Sequence, residues 1–91
     1  MIARLSKRSL IIQEAYSHWD IQDVLGEINP ILISGNYQPT YFFEGTPIIG
    51  QGGFHVIIKL SKDLSESDQR IIKRLLSMRG IRVVEEEKIE A

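Results

Sequence analysis

The 91 residues are 43% hydrophobic and 25% charged, a composition typical of a globular domain, and dividing so short a chain would leave each half too little apolar surface to bury. The absence of cysteine excludes disulfides, thiolate metal sites and cysteine nucleophiles. A net charge of -1 excludes a general attraction to nucleic acid, so an electrostatic partner would have to bind a local patch.

The ends of the chain differ in charge. A basic N-terminal segment, residues 1–8, precedes an apolar run at residues 10–12 that polar residues end too early for a signal peptide. No apolar run approaches the roughly 20 residues that cross a bilayer. We therefore expect one cytoplasmic domain spanning residues 1–91, in which residues 86–91 form a frayed acidic tail.

The first half of the chain predicts a strand followed by a helix. Residues 9–16 are short, rich in isoleucine and continuous in their apolar part, which favours a buried strand. Ser17 and Asp20 have capping-box spacing, so a helix is predicted to begin at His18. Pro30 is predicted to end it, because the residue before a proline is disfavoured in helical conformation.

The middle of the chain has the weakest pattern. Residues 31–34 are compatible with extended chain, and residues 40–44 have the β-branched and aromatic content of a strand. The position of the second strand, between residues 31 and 44, therefore stays open. Residues 45–53 predict a glycine-rich loop.

The second half gives stronger signals. Residues 54–60 alternate in polarity and predict a strand. A helix is predicted from Ser65, its N-cap, to about Arg79, because Gly80 suits the left-handed position after a helix. Residues 81–85 then predict the last strand.

This order, β-α-β-β-α-β, predicts an α+β protein of the ferredoxin-like type, with two helices on one face of a four-stranded antiparallel sheet. The other face would be open to solvent. By alternation it would carry His55, Ile57 and Lys59 from the third strand, and Arg82 and Val84 from the fourth.

No pattern predicts catalysis. The sequence offers no acid–base pair, triad, metal-ligand cluster or cofactor motif, so no catalytic residue, metal or cofactor is predicted. We expect His18 to be a polar surface residue and Trp19 to be a packing residue. The glycine-rich loop leads into a strand and lacks the lysine of a phosphate-binding loop, which argues against a phosphate site.

The leading hypothesis is a small, non-enzymatic regulatory or protein-interaction module. It would form a homodimer and bind a protein partner through the open sheet face and the glycine-rich loop, because apolar side chains would otherwise face solvent there. The predicted contact residues are Ile48, Ile49, His55, Ile57 and Val84, with Ile11 or Ile12 from the first strand.

Two alternatives remain. One is a nucleic-acid-binding protein, since clustered cations neutralise phosphates. Its predicted contact residues are Arg4, Lys7, Arg8, Arg70, Lys73, Arg74 and Arg82. The other is a small-ligand sensor in which the glycine-rich loop contacts a ligand at a dimer interface.

Overall fold

The computed structural model describes residues 1–45 and 54–86. Within them the chain is α+β, with a five-stranded mixed sheet and two helices. No described helix is long and apolar enough to cross a membrane. The elements are β1 Ile2–Leu5, β2 Ser9–Ala15, α1 His18–Ser34, β3 Thr40–Glu44, β4 Phe54–Lys59, α2 Glu66–Met78 and β5 Arg82–Glu85.

The strand order is β3-β4-β2-β1-β5, which differs from the predicted ferredoxin-like sheet. The difference is β1, which comes from the basic N-terminal segment and lies between β2 and β5. It pairs antiparallel with β2 but parallel with β5, so the sheet is mixed. The physical reason is burial, because Ala3 and Leu5 are fully buried on the core face while Arg4 between them is exposed.

Helix α1 is longer than predicted, because it continues through Pro30 to Ser34. A proline within a helix removes one hydrogen bond, here the one to the carbonyl of Gly26, and crowds that carbonyl. The buried stripe nevertheless continues from Ile28 to Leu32, so core packing outweighs the lost bond. Residues 31–34 are therefore helical, and the prediction that Pro30 ends the helix is wrong.

The end of α1 is a Schellman motif built on asparagine. Asn36 adopts a left-handed conformation with φ 57°. Its backbone N donates to the carbonyl of Ile33 at 3.0 Å, and the backbone N of Tyr37 donates to that of Leu32 at 2.9 Å. Asparagine tolerates this conformation better than most residues, so it can occupy the left-handed position after the helix that glycine usually fills.

Helix α2 has the predicted ends. The Ser65 hydroxyl accepts a hydrogen bond from the backbone N of Asp68 at 3.1 Å. Gly80 has φ 78°, and the backbone N of Ile81 donates to the carbonyl of Leu76 at 3.1 Å. Both predicted caps are thus present, because each depends on a few neighbouring residues only.

Both helices cover the same face of the sheet. An ion pair at 2.8 Å between Arg79 and Glu27 joins them, and the hydrogen bond from Arg79 holds the pKa of Glu27 below its usual range. The buried strand residues on this face are Ala3, Leu5, Leu10, Ile12, Ala15, Val56 and Ile58, and they form one core with Ile21, Val24, Ile28, Leu32, Ile72 and Leu76 of the helices.

Candidate functional site

The face of the sheet opposite the helices, called here the open face, is covered by no described element. Successive side chains of a strand point to opposite faces. Because Val56 and Ile58 are fully buried beneath the helices, the structure places His55, Ile57 and Lys59 on the open face.

The strand register places one residue of each strand in a row across the open face. Phe42 pairs with Ile57, Ile57 with Ile11, Ile11 with Arg4, and Arg4 with Val84. We call these five residues the central row. Phe42 is 46% exposed, whereas Ile57, Ile11 and Val84 are half-buried by their neighbours. The sequence left open whether Ile11 or Ile12 faces this side; Ile11 does, since Ile12 is fully buried.

The charged side chains of the open face surround the apolar part of the central row, and most of them are paired. His55 Nε2 lies 2.9 Å from Glu44 Oε2, and Arg4 Nη1 lies 2.8 Å from Glu86 Oε1. The Lys59 ammonium lies 5.5 Å from the centre of the Phe42 ring, within cation–π range. The open face therefore combines an apolar centre with charges of both signs at its border.

The acidic tail begins as part of the sheet. The backbone N of Glu86 donates to the carbonyl of Leu5 at 2.8 Å, in addition to the ion pair with Arg4. Glu86 is thus held on the sheet, whereas it was predicted to be frayed. Residues 87–91 lie outside the described part of the chain.

The seven cations of the nucleic-acid hypothesis occupy three separate places. Arg4, Arg8 and Lys73 lie within 3.2 Å of carboxylates, so part of their charge is already neutralised. Arg4 and Arg82 lie on the open face, and Lys7 and Arg8 lie in the turn between β1 and β2. The other three, Arg70, Lys73 and Arg74, lie on α2, which packs on the opposite face of the sheet.

This separation leads to a prediction about nucleic acid. Three cations on α2 neutralise few phosphates, so the electrostatic contribution to binding is small at physiological salt. We expect labelled mixed-sequence RNA or DNA to show no change in fluorescence anisotropy with micromolar protein at physiological salt. Micromolar binding that disappears when Arg70, Lys73 and Arg74 are all replaced by glutamate would contradict this expectation.

Other predicted residues have different positions. Trp19 is 74% exposed, so its prediction as a packing residue is wrong. It follows the N-cap too closely to join the buried stripe, which begins at Ile21.

Ile48 and Ile49 lie outside the described residues, as does the glycine-rich part of their loop. Within the described residues, no group of three or more His, Asp or Glu side chains is placed to hold a metal ion.

Two residues of the central row were not predicted from the sequence to lie on the open face. Phe42 belongs to a strand whose position was left open, and Arg4 belongs to the basic N-terminal segment, which was not predicted to form a strand. Alternation within T-Y-F-F-E would have assigned Phe42 to the open face once the neighbouring strand was known.

Comparison of the chain with protein-family models, with curated proteins and with solved structures finds no match.

Proposed function

We propose that this chain is a non-enzymatic, cytoplasmic protein-interaction module that forms a homodimer by burying the open faces of two sheets against each other. The observation that carries the proposal is the central row, in which Phe42, Ile57 and Ile11 are adjacent and apolar on a face that no described element covers. Burying such side chains is favourable by roughly 25 cal/mol per Å² of apolar surface.

A second copy fits this face because a two-fold arrangement brings charges of opposite sign on the two copies together. Consider a two-fold axis parallel to β2, so that β3 of one copy faces β5 of the other. Phe42 then faces the partner's Val84, and Glu44 faces the partner's Arg82, since each pair lies at the same level in the register. Two sheets packed face to face in this way lie about 10 Å apart.

The interaction role extends to a further protein partner through the glycine-rich loop. The support is the sequence alone, in which Ile48 and Ile49 stand between glycines and need either a core or a partner to cover them. The dimer proposal does not depend on this loop.

The first test is an Ile57→Asp substitution. We expect the unmodified protein to be a dimer at micromolar concentration and the variant to be a folded monomer, because burying the new carboxylate costs its hydration and the cation opposite it, the partner's Arg4, is already paired with Glu86. Sedimentation equilibrium gives the mass, and circular dichroism shows that the fold is kept. Ile33→Asp is the matched control, since Ile33 is 70% exposed on α1 and away from the open face.

Charge exchange provides a second test of the same geometry. Glu44→Arg should weaken the dimer by placing like charges opposite each other, and adding Arg82→Glu should restore it. An unmodified protein that is monomeric at micromolar concentration refutes the homodimer. A dimer that Ile57→Asp leaves intact refutes the open face as its interface.

A further inference from the structure

The two edges of the sheet are unequally protected. Edge strands carry unpaired backbone N–H and C=O groups, and proteins commonly shield them with charged residues, proline or a covering element. At β5, Arg82 and Glu85 stand at the two ends, and Lys73 of α2 lies 3.2 Å from Glu85. At β3 the sequence T-Y-F-F-E has one charged residue, Glu44 at its end, and no lysine, arginine or proline, and no described strand pairs with its outer side.

The side chains of this edge are also exposed and aromatic. Phe42 is 46% and Phe43 55% exposed, one on each face of the sheet. Beside Phe43 lies a cavity of about 300 Å³ that is also lined by Ile21 and Leu25 of α1. An exposed aromatic edge strand next to this cavity, whose lining also includes His18 and Gln22, is a surface to which another strand can add.

We propose that the β3 edge pairs antiparallel with the β3 edge of a second copy. Full overlap of the two five-residue strands centres the pairing on Phe42, which then lies beside the partner's Phe42. Tyr41 and the partner's Phe43 lie opposite each other on the helix face. The apolar part of the central row would then continue across the contact, from Ile11 and Ile57 of one copy to the same residues of the other.

Charge supports this register and this occupant. Glu44 lies opposite the partner's Thr40, and Thr40 pairs with Lys59 within each chain. Glu44 contacts His55 of its own chain, and the small threonine leaves room for its carboxylate to approach the partner's Lys59 as well, a contact that symmetry produces twice. Opposite charges at neighbouring positions of a sheet stabilise pairing.

The edge contact is distinct from the face-to-face dimer and does not depend on it. Two five-residue strands bury less than the roughly 1,200–2,000 Å² of a stable interface, so the edge contact should form at higher concentration. With the two-fold axis proposed above, each face dimer carries one β3 edge at each end. Edge pairing would therefore link face dimers into linear assemblies.

Cysteine cross-linking tests the register, because the chain contains no cysteine of its own. In a Thr40→Cys/Glu44→Cys variant, each new thiol lies opposite a thiol of the other copy, within reach of a disulfide. The single variant Thr40→Cys is the matched control, because its two thiols would be about 14 Å apart along the strands. Both variants should also carry Ile57→Asp, which removes the face contact.

We expect mild oxidation to link the double variant about tenfold faster than the single variant, giving a covalent dimer on a denaturing gel. Phe43→Lys in the double variant should abolish this difference, because it places a charge on the edge while leaving the open face unchanged. Equal linking of the double and single variants overturns the proposal, as does linking that Phe43→Lys leaves unaffected. Neither result bears on the face dimer, which the mass of the protein without Ile57→Asp reports separately.

Discussion

Leu5→Ala is expected to lower the free energy of unfolding by about 2–5 kcal/mol, the range for truncating a large buried side chain. Leu5 is fully buried, and its strand, β1, joins β5 to the rest of the sheet. A cavity at this position would weaken the packing of β1 against the core. Urea denaturation followed by circular dichroism measures the change.

Arg4→Ala is the matched control for Leu5→Ala. Arg4 is the neighbouring residue, but its side chain is 48% exposed on the open face and its ion pair with Glu86 is at the surface. Exposed ion pairs contribute about 0–1 kcal/mol. If Leu5→Ala costs less than about 0.5 kcal/mol, β1 is not part of the core and the observed strand order is wrong.

The second half of the fold was predictable from sequence because its signals are local. Ser65 and Gly80 cap α2 through neighbouring residues, and the alternation of residues 54–60 identifies β4. The first half depends on tertiary contacts. Pro30 stays within α1 because Leu32 finds a place in the core, and β1 forms because two neighbouring strands accept it.

The sequence allows the open-face residues to be predicted within a single strand, but not how the strands lie beside one another. Alternation within β4 is enough to assign Ile57 to the side away from Val56, without knowledge of any neighbouring strand. The central row also requires the register between strands, which separates Phe42, Ile57 and Ile11 by 15 and 46 positions along the chain. No pattern within a single strand specifies such pairings, so Phe42 and Arg4 were missed.

Gly35→Ala is expected to destabilise the protein by about 3 kcal/mol, because it disturbs the contact that fixes the start of α2. A Cβ atom at Gly35 would lie 2.3 Å from Cε2 and 2.8 Å from Cδ2 of Tyr37, so the ring must move. The backbone of Gly35, with φ -83°, suits alanine. The cost is therefore steric, and overpacking of this kind costs about 1–3 kcal/mol.

The ring of Tyr37 has little freedom to move. Its side chain is buried, and its hydroxyl donates to Asp68 Oδ2 at 2.6 Å and accepts from the backbone N of Ser65 at 3.1 Å. These bonds tie the end of α1 to the first turn of α2. Displacing the ring weakens a hydrogen bond to a charged group, which contributes about 1.5–3 kcal/mol.

Gly26→Ala is the control, because its expected effect on the free energy of unfolding has the opposite sign. Gly26 lies within α1, and a Cβ atom there would have no other described atom within 4 Å beyond its chain neighbours and the backbone of its own helix. Replacing glycine by alanine inside a helix stabilises it by about 0.5–1 kcal/mol. Urea denaturation of both variants should therefore shift the unfolding midpoint in opposite directions. A Gly35→Ala protein as stable as Gly26→Ala would show that the Tyr37 ring moves at no cost and does not fix α2.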